Sequence, residues 1–274
     1  MQKLSYHEYR LPIIEALGSF GLMDTGTTEP MSIRGVDMET GKRGHYVVKF
    51  RHANRMTIKS SCRELLGAWM AIELDINAVE PVLVNVSKEF VNTIIGQYGY
   101  QSALKSIGIN FGSVYVDGLI QIPVTKFSWD DDLLTQAKMI FMFDMFIANA
   151  DRGAGKPNVL YNGDSLMVFD HELAYSFVNM LPFLRNKTPW IFSNLEKEMY
   201  ERHYFYSILR GIEHNFMQQV ELLQRFDDDF WQKVMKWVPK DWQTEELKDI
   251  RSHLDMIIDN KNRFSEELTK ILLV

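Results

Sequence analysis

The chain has 274 residues and a single cysteine, Cys62, which excludes an intrachain disulfide and suggests a reducing compartment. Its 46% apolar content can bury a sizeable core, in one large domain or in two lobes sharing a cleft. A formal net charge of −6 argues against broad electrostatic binding to nucleic acid or to an anionic membrane. Polar and charged residues crowd Met1 to Arg10, so no signal-peptide pattern is visible. The most apolar stretch, Ala137 to Ala150, is broken by Lys138 and Asp144 and is too short to span a bilayer. These features describe a cytoplasmic, enzyme-like globule without a membrane association.

The first part of the chain is rich in turn signals and short β-like runs. Gly35 to Gly44 reads as a strand end and hairpin turn, and His45-Tyr46-Val47-Val48-Lys49-Phe50 has strand composition. From Thr57 to Leu74 the apolar positions Leu65, Leu66, Trp69, Met70 and Leu74 recur at helical spacing. Pro81 interrupts, Val82 to Val86 reads as a strand, and a further strand is expected at Ser113 to Val116. A link near Asp117 to Pro123 leads into a mostly helical second part. Ser128 or Asp130 can cap a helix from Asp131 to Ala148, with acidic residues in its first turn matching the helix dipole. Three more helical stretches follow, near 194–219, 228–237 and 243–272. Strands first and helices after predict an α+β chain, with a strand-rich N-lobe over residues 1–120 and a helical C-lobe over 121–274.

At the junction the apolar helix runs into Asn149-Ala150-Asp151-Arg152-Gly153-Ala154-Gly155-Lys156-Pro157-Asn158, and a later apolar strand ends on Asp170-His171. Carboxylate and amide groups at the ends of adjacent strands can converge on one hard cation, and Mg²⁺ prefers such oxygen ligands while leaving room for phosphates. Asp and Asn are also common turn residues, so each half alone would suit a turn. Upstream, Lys49 sits in an apolar strand from which its side chain can reach the α- and β-phosphates of ATP. Glu64, on the next helix, is placed to hold it, with Glu73 as a rival. The alternative for Lys49 is a solvated lysine on an edge strand. Between Asp24 and Pro30, Gly26, Thr27 and Thr28 offer hydroxyls and backbone amides that can cover phosphates, although the same segment suits a simple turn.

In the order Gly-Thr-Thr-Glu-Pro, Tyr-Val-Val-Lys-Phe, Arg-Glu-Leu, Asn-Ala-Asp-Arg…Pro-Asn-Val-Leu and Phe-Asp-His, the chain resembles the HipA-like kinases from about Gly26 to Tyr175. The likeness is greatest to the smaller kinase domains of that group, which lack the extra N-terminal subdomain. The Asp-Arg and Asp-His pairs are also similar to those of phosphatidylinositol kinases. The resemblance implies a protein-kinase-like bilobal fold and transfer of phosphate from ATP with Mg²⁺, to a Ser or Thr hydroxyl of a protein. It implies that Asp151 orients or deprotonates the attacking hydroxyl, that Asn158 and Asp170 hold Mg²⁺, and that Lys49, fixed by Glu64, grips the phosphates. Lys156 can meet the γ-phosphate, and Arg152 steadies the loop.

The sequence departs from ordinary protein kinases in three respects. Asp151 and Asn158 are seven apart instead of five, and His171-Glu172 replaces the Phe-Gly that lets protein kinases flip this segment. No Ala-Pro-Glu anchor follows, which puts peptide docking of the usual kind in doubt. Alternatives are a nucleotide-binding pseudokinase serving as a scaffold, or an enzyme that moves AMP to protein or phosphate to a lipid or small molecule. An antitoxin-like or other regulatory partner is compatible with the resemblance. The histidines form no H-x-x-x-H or H-E-x-x-H pattern, which leaves a zinc hydrolase without support.

Overall fold

The computed structural model describes residues 1–23, 28–123 and 128–273. Strands β1 (Ile13–Leu22), β2 (Met31–Asp37), β3 (Arg43–Lys49), β4 (Pro81–Val86) and β5 (Gly108–Val114) form a closed barrel in the order β1-β2-β3-β5-β4. Every neighbouring pair is antiparallel except β1 with β4, which closes the barrel in parallel. Alternation along the strands turns Ile14, Ile33, Val48, Val82 and Val84 into one buried cluster. Gly112 is required on β5 between β3 and β4, because a Cβ there would lie 2.7 Å from the Val47 carbonyl oxygen and 2.5 Å from Val84.

Helix α1 (Ile58–Glu73) connects β3 to β4. Thr57 caps it by accepting from the Ser60 amide at 3.1 Å. Every residue from Ser60 through Glu73 is buried, because α1 is covered on all sides. Its Leu65, Leu66 and Trp69 belong to the same core as Phe143, Phe146 and Trp231 from the helical part. Two short helices, α2 (Lys88–Thr93) and α3 (Tyr100–Lys105), lie between β4 and β5. The expected strand at 113–116 starts five residues earlier, and its glycines at 108 and 112 hide the alternation.

After β5 the chain forms β6 (Ile120–Gln121), α4 (Asp131–Phe146), β7 (Val159–Tyr161) and β8 (Leu166–Val168). Strands β6, β7 and β8 make a small antiparallel sheet that carries the Asn149–Asp170 region. Asp130 is the α4 cap, accepting from the Leu133 amide at 2.8 Å. The long helix expected near 194–219 is instead three: α5 (Asn194–Arg202), α6 (Tyr206–Leu209) and α7 (Met217–Glu221). The break after Arg202 turns His203 inward, where it is buried. Helix α8 (Asp228–Trp237) matches its expected span, whereas 243–272 divides at Asn260 into α9 (Glu245–Asp259) and α10 (Lys261–Leu273). Among the described residues no helix is long and apolar enough to cross a membrane.

Candidate active site

Lys49, the last residue of β3, sits 121 residues from Asp170 in sequence, yet its Nζ donates to Asp170 Oδ1 at 2.7 Å. The same ammonium pairs with Glu64 of α1 and reaches Glu172 Oε2 at 3.2 Å. Since β3 is flanked by β2 and β5 and Lys49 is buried, the solvated edge-strand alternative is excluded. Burial opposes a charge on Lys49, but Asp170, Glu64 and Glu172 outweigh it and hold the ammonium well above the ordinary lysine value. Glu73, the rival to Glu64, lies at the other end of α1 and accepts from the Ser5 amide instead.

The carboxylates of this cluster differ in character. Burial raises Glu64 to about 7, against the pull of Lys49. Asp170 is buried too, but Lys49 and Lys156 both contact it, and together they lower its pKa below the usual carboxylate range. Asp170 is therefore the carboxylate that stays ionised, while Glu64 and Glu172 share one ammonium and shift upward. Lys156 Nζ stands 2.9 Å from Asp170 Oδ2 and 3.9 Å from Asp151 Oδ2. Burial raises Asp151, a shift that favours a proton-accepting role near neutral pH.

Within the site, Asn158 and Asp170 have positive φ values of 51° and 65°. Ala148 and Tyr175, which gain nothing locally from that conformation, share it at 48° and 57°. Such backbone persists only where surrounding contacts over-determine it. Here the Tyr175 amide donates to the Ile147 carbonyl at 2.7 Å, and the Ser176 amide to that of Ala148 at 3.2 Å.

Arg152 supplies the rest of the scaffold. Its guanidinium is fully buried, with Nε donating to Asp144 Oδ2 at 2.5 Å. Its Nη1 donates to the carbonyl of Asn158 at 2.6 Å and, at 3.4 Å each, to those of Pro157 and Phe169. One side chain thus pins the backbone beside both Asn158 and Asp170. Asp144 is completed by Asn149 Nδ2 at 2.8 Å and His203 Nε2 at 2.9 Å. His171 faces the same guanidinium, with Nε2 at 3.3 Å from Nη2, and burial together with Arg152 depresses its pKa to about 3. The ring is therefore neutral and accepts from the guanidinium. Its amide donates to Glu64 Oε2 at 2.8 Å, tying α1 to the Asp170 segment. Gly67 makes this approach possible, since a Cβ there would lie 2.6 Å from that of His171.

Asn158 donates from Nδ2 to Asp151 Oδ2 at 3.2 Å, while its buried Oδ1 has no hydrogen-bond partner. A buried, orphaned amide oxygen on a residue held against a carboxylate fits a hard cation. The charge count agrees: Lys49 and Lys156 face four carboxylates, Glu64, Asp151, Asp170 and Glu172. Glu64, Asp170 and Glu172 also offer oxygens close enough together to share one ion, although Lys49 already fills that space.

These groups open onto a cavity of about 280 Å³ between the barrel and the β6–β8 sheet. Its apolar walls come from Val47, Val79, Phe111, Val114, Leu160 and Phe169, and its polar end from Lys49, Glu64, Lys156 and Asp170. That combination is typical of a small-molecule site. Thr28 is buried and lines this cavity, whereas the expected phosphate-covering residues Gly26 and Thr27 lie outside the described residues. A second cavity, of about 310 Å³, lies beyond Ala148 and Ala150 and is lined by Ser176, Phe177 and His253. It contains none of the Lys49, Asp151, Asn158 or Asp170 side chains.

The sequence reading overlooked Asp144, Glu172 and His203. Asp144 left a signal, a lone carboxylate within an apolar helix, which only a buried partner can support. His203 left none, because its role depends on the break between α5 and α6.

A family model described as HipA-like kinase matches residues 19–268, and the chain belongs to that family of kinase-type phosphotransferases. Among solved structures it is similar to the crystal structure of a Helicobacter pylori proinflammatory kinase, CtkA, at 13% identity and a TM-score of 0.35. That match covers 94% of this chain and 97% of the other. No curated protein sequence matches the chain.

Proposed function

We propose that the chain is an ATP- and Mg²⁺-dependent kinase that phosphorylates Ser or Thr hydroxyls of a protein, with a nucleotide lobe over residues 1–120 and a helical lobe over 121–274. The observation that carries the reading is the meeting of Lys49, Glu64, Lys156 and Asp170 at one end of a single cavity, with Asp151 beside Lys156 and Asn158 against Asp151.

In this reading the apolar end of the cavity takes the base, and Lys49 holds the phosphates at the other end while Glu64 fixes its ammonium. Thr28, which lines the cavity, covers the phosphates. Lys156 is close enough to Asp170 and Asp151 to follow the charge of the transferred group. Asp151 orients the acceptor hydroxyl and takes its proton as the new O–P bond forms and the bond to the leaving ADP oxygen breaks. Asn158 Oδ1 and Asp170 are the groups that would hold Mg²⁺, which when bound offsets the negative charge of the phosphate oxygens. The buried Asp144–Arg152–His203 network keeps those groups in register.

The test is incubation of the full chain with γ-labelled ATP and Mg²⁺, alone and with cell lysate. Label is expected on a protein Ser or Thr. Asp151→Asn and Asp170→Ala should each reduce transfer by about 10²-fold or more. Undiminished labelling by Asp170→Ala excludes its metal role, and product mass separates phosphate from AMP and protein from lipid or small molecule.

A further inference from the structure

Arg63 precedes Glu64 on α1, so its side chain leaves the helix about 100° away and points from the cavity toward the C-terminal helices. It is buried and makes three contacts with two separate parts of the chain. Nε donates to Glu246 Oε1 at 2.7 Å, Nη2 to Asn179 Oδ1 at 3.2 Å, and Nη1 to the Glu172 carbonyl at 3.5 Å. Glu246 lies in the first turn of α9, 183 residues further along. An acidic residue there suits the helix dipole, which by itself explains only an exposed carboxylate. This one is turned inward, its side chain 10% exposed, and takes Lys59 as a second partner at 3.5 Å.

The three acceptors share one consequence. Glu172 contacts Lys49 through its side chain, and through its backbone it continues the segment that begins at Asp170. Asn179 ends the 3-10 turn Ser176–Asn179 of the same segment. Arg63 therefore ties the helix carrying Glu64, the segment carrying Asp170, and α9 into one unit. A planar guanidinium can meet three acceptors in fixed directions, and a lysine in its place can satisfy one at that reach.

We propose that Arg63 is a positioning residue for phosphoryl transfer, and that Glu246 makes the C-terminal helix α9 part of the catalytic apparatus through it. The inference rests on the phosphotransferase reading above. Displacements of about 1 Å by groups remote from the chemistry can cost about 10²-fold in rate, so a loosened α1 should affect kcat before it affects nucleotide binding.

The test uses the full-length protein with Arg63→Gln, Arg63→Lys, Glu246→Ala and the Arg63→Gln/Glu246→Ala double variant. Each is measured for kcat, for affinity toward a fluorescent ATP analogue, and for amide hydrogen exchange across residues 58–65. Arg63→Gln and Glu246→Ala should each lower kcat by about tenfold with analogue affinity within about threefold of the parent. The double variant should be no slower than Arg63→Gln alone, Arg63→Lys should fall between, and exchange at the start of α1 should quicken in both single variants. Parent-like kcat and unchanged α1 exchange in Glu246→Ala overturn the proposal. If the parent protein transfers no phosphate, the kinase reading fails, and the exchange data alone decide whether α9 steadies α1.

Discussion

Replacing Arg152 with methionine isolates the buried charge network. Methionine roughly preserves volume, so the loss falls on electrostatics and hydrogen bonds and not on a cavity. Arg152 and Asp144 both have side chains with no exposure, and removing one partner of such a pair costs about 3–5 kcal/mol. That is a large share of the roughly 5–15 kcal/mol that keeps a domain folded. The deficit should also depend on pH. In the intact protein burial, with help from the positive Arg152, lowers the His203 pKa against the pull of Asp144. Without the guanidinium one of the two influences that lower it is gone, so the folded-state His203 pKa moves up toward its unfolded value of about 6.5. A depressed histidine costs stability below its unfolded pKa, so easing the depression returns stability as pH falls and returns none above that value. Urea denaturation of Arg152→Met should therefore show a smaller deficit at pH 5.5 than at pH 7.5. Adding Asp144→Leu should recover part of the loss at pH 7.5. A deficit below about 1 kcal/mol, or one that grows on acidification, would refute the argument that Asp144 is a buried anion needing a cation.

Three further outcomes follow from the same geometry. Gly67→Ala forces its Cβ against His171, and should cost about 1–3 kcal/mol in chemical denaturation while slowing phosphate transfer. Asn158→Ala removes the unpartnered Oδ1, and a Mn²⁺ titration should show metal affinity lowered by about tenfold or more, even without nucleotide. Lys49→Met leaves Glu64, Asp170 and Glu172 together without their shared ammonium, so their folded-state pKa values should rise. Carboxylates raised on folding stabilise at low pH and lose that contribution as pH climbs through the folded value. The melting temperature of Lys49→Met, measured against the parent, should therefore fall further at pH 8 than at pH 5.5.

How much of this was legible in the sequence depended on the range of the interactions involved. Helix α1 was readable to within a residue because its cap, Thr57, and its apolar spacing are local signals. The same holds for α8, whose Asp227 cap accepts from Phe230 at 3.0 Å. Strand β1 went unread because irregularities between Ala16 and Gly18 and between Ser19 and Gly21 break its alternation. The pairing of Lys49 with Glu64 was anticipated from order along the chain, and the two residues do meet. Glu172 as a third partner was not, since nothing in Asp-His-Glu says which way the segment turns after a positive φ at Asp170. The helical tail was overextended because helical periodicity persists across Arg202 and Asn260. At Arg202 what interrupts it is tertiary, since the His203 ring is drawn to Asp144; at Asn260 the amide turns back to the Ile257 carbonyl at 3.0 Å and a new helix starts.

Closure of the barrel has a consequence for the company this protein keeps. With Ile13–Glu15 of β1 zipped to Leu83–Asn85 of β4, each of the five strands has a neighbour on both flanks along at least part of its length. Along that seam a polypeptide visitor cannot extend the sheet by adding a strand of its own, and must be recognised there by side chains and loops. The same seam shields that part of the barrel from the edge-to-edge stacking that turns open sheets into aggregates.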